Sequence, residues 1–137
     1  MLKKYKDNIL SKVESKVESV KPMVIPQDAT LSDCKLIFEK EYKFIGQQYQ
    51  SWINESIPRT KVLAKMKSGD AIDFRPAMWD NGTLFLCIHR KTGLDFGVLI
   101  NNVARKLQHE YYGCYMVGQY LDDGRINVQV YQPPENL

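Results

Sequence analysis

Residues 31–55 read LSDCKLIFEKEYKFIGQQYQSWINE, and whether this stretch coils or extends decides the architecture. Thr30 or Ser32 is placed to cap a helix, since Thr30-x-x-Asp33 has the capping-box spacing. Cys34, Phe38, Ile45, Tyr49 and Trp52 or Ile53 then share one broad face. The expectation is the longest helix of the chain, rich in aromatics. Gly46 in its middle costs about 1 kcal/mol relative to alanine and marks a bend or a close crossing. Ile57-Pro58 ends it.

Downstream, RTKVLAKMK at 59–67 fits either a short strand or a helical turn, because Val62, Ala64 and Met66 alternate while apolar residues also run together. Ile72, Phe74 and Met78 alternate with Asp73 and Arg75, and Asp80-Asn81-Gly82 then turns the chain into TLFLCIHR, the pattern of a hairpin. Pro76 lacks an amide donor, which places the first strand of that hairpin at an edge. Phe96, Leu99, Ile100, Val103, Leu107 and Tyr111 recur at helical spacing, with Gly113 as a left-handed stop. In the last segment Ile126, Val128 and Val130 alternate with Asn127, Gln129 and Tyr131 after an Asp123-Gly124 turn, which gives a second hairpin with one polar face.

Upstream, SKVESKVES at 11–19 belongs to a segment in which Tyr5, Ile9, Val13, Val17 and Val20 fall on one helical stripe, with Lys12 and Lys16 along one border and Glu14 and Glu18 along the other. Pro22 and Pro26 bracket an extended connector. The expected fold is α+β: an antiparallel sheet of four to five strands, built from two hairpins and packed with two helices, plus an N-terminal amphipathic helical arm. The arm occupies residues 1–24, and residues 25–137 form a single globular domain.

A chain of 137 residues with 44% hydrophobic and 26% charged residues has the composition of an ordinary globular domain. Three cysteines, Cys34, Cys87 and Cys114, do not make a disulfide framework, and the charged start at Met1–Asp7 is unlike a signal peptide, so a cytoplasmic protein with no membrane partner is expected. The formal net charge of +3 resides wholly in residues 1–21, where six lysines face Asp7, Glu14 and Glu18. The remainder carries 13 basic and 13 acidic side chains and is neutral.

Motifs for phosphate loops, dinucleotide sites, serine hydrolases and zincins are missing from the sequence, so no catalytic residue and no cofactor is assigned. Cys87 and His89 on one strand, with His109 and Cys114 near the next helix end, form a weak alternative metal set. A thiol nucleophile would pair Cys87 or Cys114 with His89 or His109 and with Asp95 or Glu110. The favoured expectation is a non-catalytic protein–protein binding or assembly module, of the kind that builds larger intracellular or viral particles. Its partner, another protein or a second copy, would meet the stripe of Tyr5, Ile9, Val13, Val17 and Val20. The alternative is a nucleic-acid-binding accessory protein using Lys3, Lys4 and Lys6 with Arg59, Lys61, Lys65 and Lys67.

Overall fold

The computed structural model describes residues 33–80, 82–122 and 124–134, so the expected arm at 1–24 lies outside the described residues. The elements are β1 (Lys35–Lys43), α1 (Arg59–Ala64), β2 (Ala71–Trp79), β3 (Gly82–His89), β4 (Leu94–Leu99), α2 (Asn101–Glu110), β5 (Tyr115–Asp122) and β6 (Arg125–Gln132). All six strands join one antiparallel sheet in the order β1-β6-β5-β2-β3-β4. This corrects the expectation of an α+β fold with a sheet of four to five strands packed with two helices: the structure is mostly one six-stranded sheet, and the two helices among the described residues are short.

The correction originates in residues 31–55. Lys35–Lys43 is a strand paired with β6 from Lys35 opposite Gln132 to Lys43 opposite Arg125, and the long aromatic helix is not formed. Extended, this segment sends Phe38 and Tyr42 against the main apolar cluster and turns Glu39 and Glu41 outward. The Glu39 carboxylate then accepts hydrogen bonds from Asn127 Nδ2 and Gln129 Nε2, each at 2.7 Å, across the ladder. Cross-strand pairing and burial outweigh helix propensity here, because the propensity differences among such residues are only tenths of a kcal/mol each.

A second correction concerns Phe96 and Leu99, which lie on β4 rather than on the helix read from their spacing. That helix begins at Asn101 and ends at Glu110, where the Tyr111 amide still reaches Leu107 O and Gly113 takes the expected left-handed φ of 82°. Residues 59–67, ambiguous in sequence, resolve as the six-residue α1 followed by irregular chain. Both expected hairpins are present, β2–β3 with Trp79 opposite Gly82 and β5–β6. Pro76 sits on an interior strand of the sheet order, not an edge strand, but β2 pairs with β5 only at Ala71 and Ile72, so β2 has a single laddered neighbour at the proline.

The sheet curls on itself. Ile45, just past β1, exchanges two main-chain hydrogen bonds with Val98 of β4 (3.0 and 2.9 Å), so opposite edges meet around an inner cluster that includes Phe74, Phe85, Phe96, Met116, Ile126 and Val128. Gly97 permits that closure: a Cβ there would lie 2.6 Å from the Phe44 ring and 2.9 Å from Ile45 O. A bulge opposite Cys87 and Ile88 inserts Phe96 as an extra residue, which lets Phe96 reach the inner cluster while Asp95 faces the other side. On that outer side Ala77, Leu84, Leu86, Ile88 and Val98 form a second cluster, covered by Trp52 and Ile53. Helix α2 adds Ala104 and Leu107 to the inner cluster, and Val62 and Met66 join it from α1 and the chain beyond. No helix among the described residues is long and apolar enough to cross a membrane.

The hydrogen bonds from Asn127 and Gln129 hold the Glu39 carboxyl below its ordinary value of 4.5. A depressed folded value contributes stability that is complete above the ordinary glutamate range and is lost as pH falls through the folded value. Urea unfolding midpoints at pH 6 and pH 3 should therefore differ less in Glu39→Gln than in the parent chain. An equal pH dependence in the two proteins would contradict the strand pairing as the source.

Candidate functional site

Residues 44–58 run between β1 and α1 without forming a strand, and their course creates the most built feature of the surface. After Ile45 the chain turns at Gly46, whose φ is 86° and whose carbonyl accepts a hydrogen bond from Arg59 Nη1 at 2.9 Å. A Cβ at Gly46 would lie 2.9 Å from that same nitrogen, so both the left-handed backbone and the close approach of the guanidinium call for glycine. The expected role of Gly46, a bend within a helix, is replaced by this one.

The loop is pinned by Asp95, which is 0% exposed. Its carboxylate accepts hydrogen bonds from the Ser51 hydroxyl, from the Trp52 and Ile53 amides at 2.9 Å each, and from Arg59 Nε at 3.0 Å. Ser51 Oγ in turn accepts from the Asn54 amide at 3.1 Å. Arg59, 1% exposed, completes a buried ion pair through Nη2 at 3.0 Å from Asp95, a contact without hydrogen-bond geometry. Two buried ions survive because each is paired and most of their polar atoms are bonded.

Above the pair the side chains stack. The Arg59 guanidinium carbon lies 5.5 Å from the Trp52 ring centroid, and Trp79 lies 5.4 Å from Trp52 at 35°. Trp79 is the last residue of β2, placed there by a two-residue turn in which Asp80 has φ 50°. The stack lies beside a cleft of about 810 Å³ whose walls include Ile45, Tyr49, Trp79 and Ile100. These four are exposed by 49, 51, 37 and 45%, and they make up most of the large apolar side chains exposed among the described residues. Among the described residues the only charged side chains on the walls are Arg59, already neutralised by Asp95, and Asp80, which is exposed and has no ion pair with any described residue.

The candidate residues named from sequence are scattered. Tyr5, Ile9, Val13, Val17 and Val20 lie outside the described residues, as do Lys3, Lys4 and Lys6. Arg59 is buried against Asp95 and withdrawn from solvent, whereas Lys61, Lys65 and Lys67 are exposed along and after α1. Cys87 is buried in the inner cluster, where desolvation drives its thiol pKa far above the ordinary value. His89, 1% exposed, has both ring nitrogens engaged, Nε2 with Asp70 at 2.9 Å and Nδ1 with Thr92 at 3.0 Å. The Lys67 amide and His89 hold the Asp70 carboxyl below its ordinary value, so Nε2 donates to an ionised carboxylate. His109 is exposed on α2, and Cys114 is half-buried with its thiol raised by desolvation. Among the described residues no three histidine, cysteine or acidic side chains converge to hold a metal. Asp95, weighed as an acid beside a thiol, serves the Arg59 pair instead.

Sequence reasoning missed the cleft. The sequence pattern puts Tyr49 and Trp52 on a helical face and Asp80 in a turn, and it assigns Trp79 no role. A hint was present in Trp79-Asp80-Asn81-Gly82, where an indole abuts a tight turn that must lie at a rim.

Replacing Asp95 by asparagine leaves the Arg59 charge buried without its counter-ion, and a broken buried pair costs about 3–5 kcal/mol. Urea denaturation should show a loss of that order, with partial recovery when Arg59→Met is added. A loss below about 1 kcal/mol, the range of an exposed pair, would contradict the burial described. Comparison with the models of known protein families, with characterised proteins and with solved structures finds no match to this chain, so its functional reading rests on this cleft.

Proposed function

We propose that this protein is a non-catalytic protein-binding or assembly module that seats an apolar segment of a partner chain in the cleft between Tyr49 and Trp79. The observation that carries the reading is the concentration of exposed Ile45, Tyr49, Trp79 and Ile100 around one preformed cleft of about 810 Å³. Ligand clefts fall in the range of about 300–1,000 Å³, and aromatic anchors at their centres supply most of the energy of protein recognition. The stack of Arg59, Trp52 and Trp79 is held by Asp95, so the aromatic surface is arranged before a partner arrives and little ordering entropy is left to lose.

Chemistry-bearing side chains support the same reading by their engagements. The Asp95 carboxylate is saturated by loop donors and Arg59, His89 is held on both nitrogens, and the Cys87 thiol is buried and kept protonated. The nucleic-acid alternative loses Arg59 as a phosphate ligand, and the cleft offers bases no cation of its own because Arg59 is neutralised there. Assembly through the stripe of Tyr5, Ile9, Val13, Val17 and Val20 remains part of the proposal.

A photoreactive amino acid at position 49, in the full chain expressed in cells, tests the reading, with position 106 on the exposed side of α2 as the reference. The expected result is a discrete protein adduct from position 49 that is absent from position 106 and is lost when Ile100→Asp is added. Adducts to nucleic acid, the same adducts from both positions, or none from position 49 would overturn it.

A further inference from the structure

We propose that the residue this cleft selects in its partner is an arginine carried on the apolar segment, its guanidinium paired with the Asp80 carboxylate and laid along the aromatic wall of Tyr49 and Trp79. This inference names the chemistry of the partner and rests on the reading of the cleft as a protein-binding site.

The charge of the cleft calls for a cation. Arg59 is 1% exposed and neutralised by Asp95 at 3.0 Å, so it adds no net charge to the walls. Asp80 is exposed and has no ion pair with any described residue, which leaves the described walls with one uncompensated negative charge. The tight turn after β2 fixes the Asp80 backbone at the rim, with φ 50°, directly after Trp79. A wholly apolar segment laid over that carboxylate would strip its water and give nothing back. A cation on the segment replaces the lost hydration.

The walls around that charge favour a guanidinium over an ammonium. Tyr49 and Trp79, half-exposed, offer flat aromatic surface on which a planar guanidinium stacks. A guanidinium is also more weakly hydrated, so it loses less on entering an apolar cleft, and its fork gives a carboxylate two parallel hydrogen bonds. Gln48 and Thr83 line the same cleft, and neither side chain makes a hydrogen bond with any described residue, so their oxygens are acceptors for N–H groups that Asp80 leaves unfilled. The molecule already builds this arrangement once: Arg59 donates to Asp95 from its edge while its face lies 5.5 Å from the Trp52 centroid. The partner's arginine repeats it at the surface, with Asp80 in the place of Asp95 and Trp79 in the place of Trp52.

The chain contains two tryptophans, Trp52 and Trp79, and both line the cleft, so intrinsic fluorescence reads this site. The full chain is titrated with the capped peptide acetyl-Leu-Arg-Leu-amide, with its lysine and citrulline counterparts, and with the neutral disaccharide cellobiose. The expected result is a saturable change of emission with the arginine peptide and binding about tenfold weaker for citrulline, which keeps the shape and loses the charge, with lysine between the two. No saturable response to the arginine peptide, equal binding of arginine and citrulline, tighter binding of lysine, or saturation by cellobiose at a lower concentration would each overturn the proposal. Asp80→Asn, whose side chain tolerates the left-handed backbone at the turn, should abolish the preference for arginine over citrulline. A preference that survives the substitution would overturn the role of Asp80. The adduct from position 49 separates this inference from the reading beneath it: an adduct undiminished by Asp80→Asn overturns the arginine and leaves the binding reading standing, whereas absence of the adduct overturns that reading whichever peptide binds.

Discussion

The Asp95 carboxylate is the point at which loop, sheet and cleft are joined. It sits on β4 facing outward because a bulge shifts the register at Phe96, and it gathers Ser51, the Trp52 and Ile53 amides and Arg59 onto one pair of oxygens. The loop they belong to has no strand of its own to hold it. Without that anchor, Trp52 and Ile53 would have no reason to lie over Leu84, Leu86, Ile88 and Val98, and the outer apolar cluster would face water. A buried carboxylate is costly to desolvate, and it is tolerated here because loop amides and a guanidinium replace the lost hydration.

The same anchor explains why the surface feature is aromatic and preformed. Arg59 serves Asp95 with one edge and Trp52 with its face, Trp79 packs on Trp52, and the tight turn after β2 brings Trp79 to the rim. Closure of the curled sheet at Ile45 and Val98, made possible by Gly97, supplies the opposite wall. Local turn chemistry, sheet closure and one ion pair together shape the cleft and set the aromatic side chains along its wall.

Much of the sheet was legible in the sequence. Clean period-two alternation and turn residues at Asp80-Asn81-Gly82 and Asp123-Gly124 read both hairpins, because hairpin signals are local. Residues 35–43 were not legible as a strand, since Phe38 and Tyr42, four apart, share a helical face as readily as one side of a strand. Their partner, β6, lies some ninety residues away, as the contact of Glu39 with Gln129 shows. Phe96 and Leu99 misled in the same way, their spacing fitting a helix while a bulge fitted them to β4. The candidate site was the least legible part. Asp95 meets its partners across 36 to 44 residues of chain, and no local pattern marks a carboxylate two of whose four donors are loop amides. Arg59 belonged, by sequence, to a basic cluster; only the fold reveals that it is spent on an internal charge.

The central claim is that Asp95 holds residues 51–53 as firmly as the sheet itself, and amide hydrogen exchange at Trp52 and Ile53 tests it most directly. If the carboxylate anchors the loop, these two amides exchange only when the sheet opens, with protection matching that of Leu86 in β3. Exchange at the rate of the exposed turn at residues 54–56 would show the loop opening independently of the sheet, and would contradict the account.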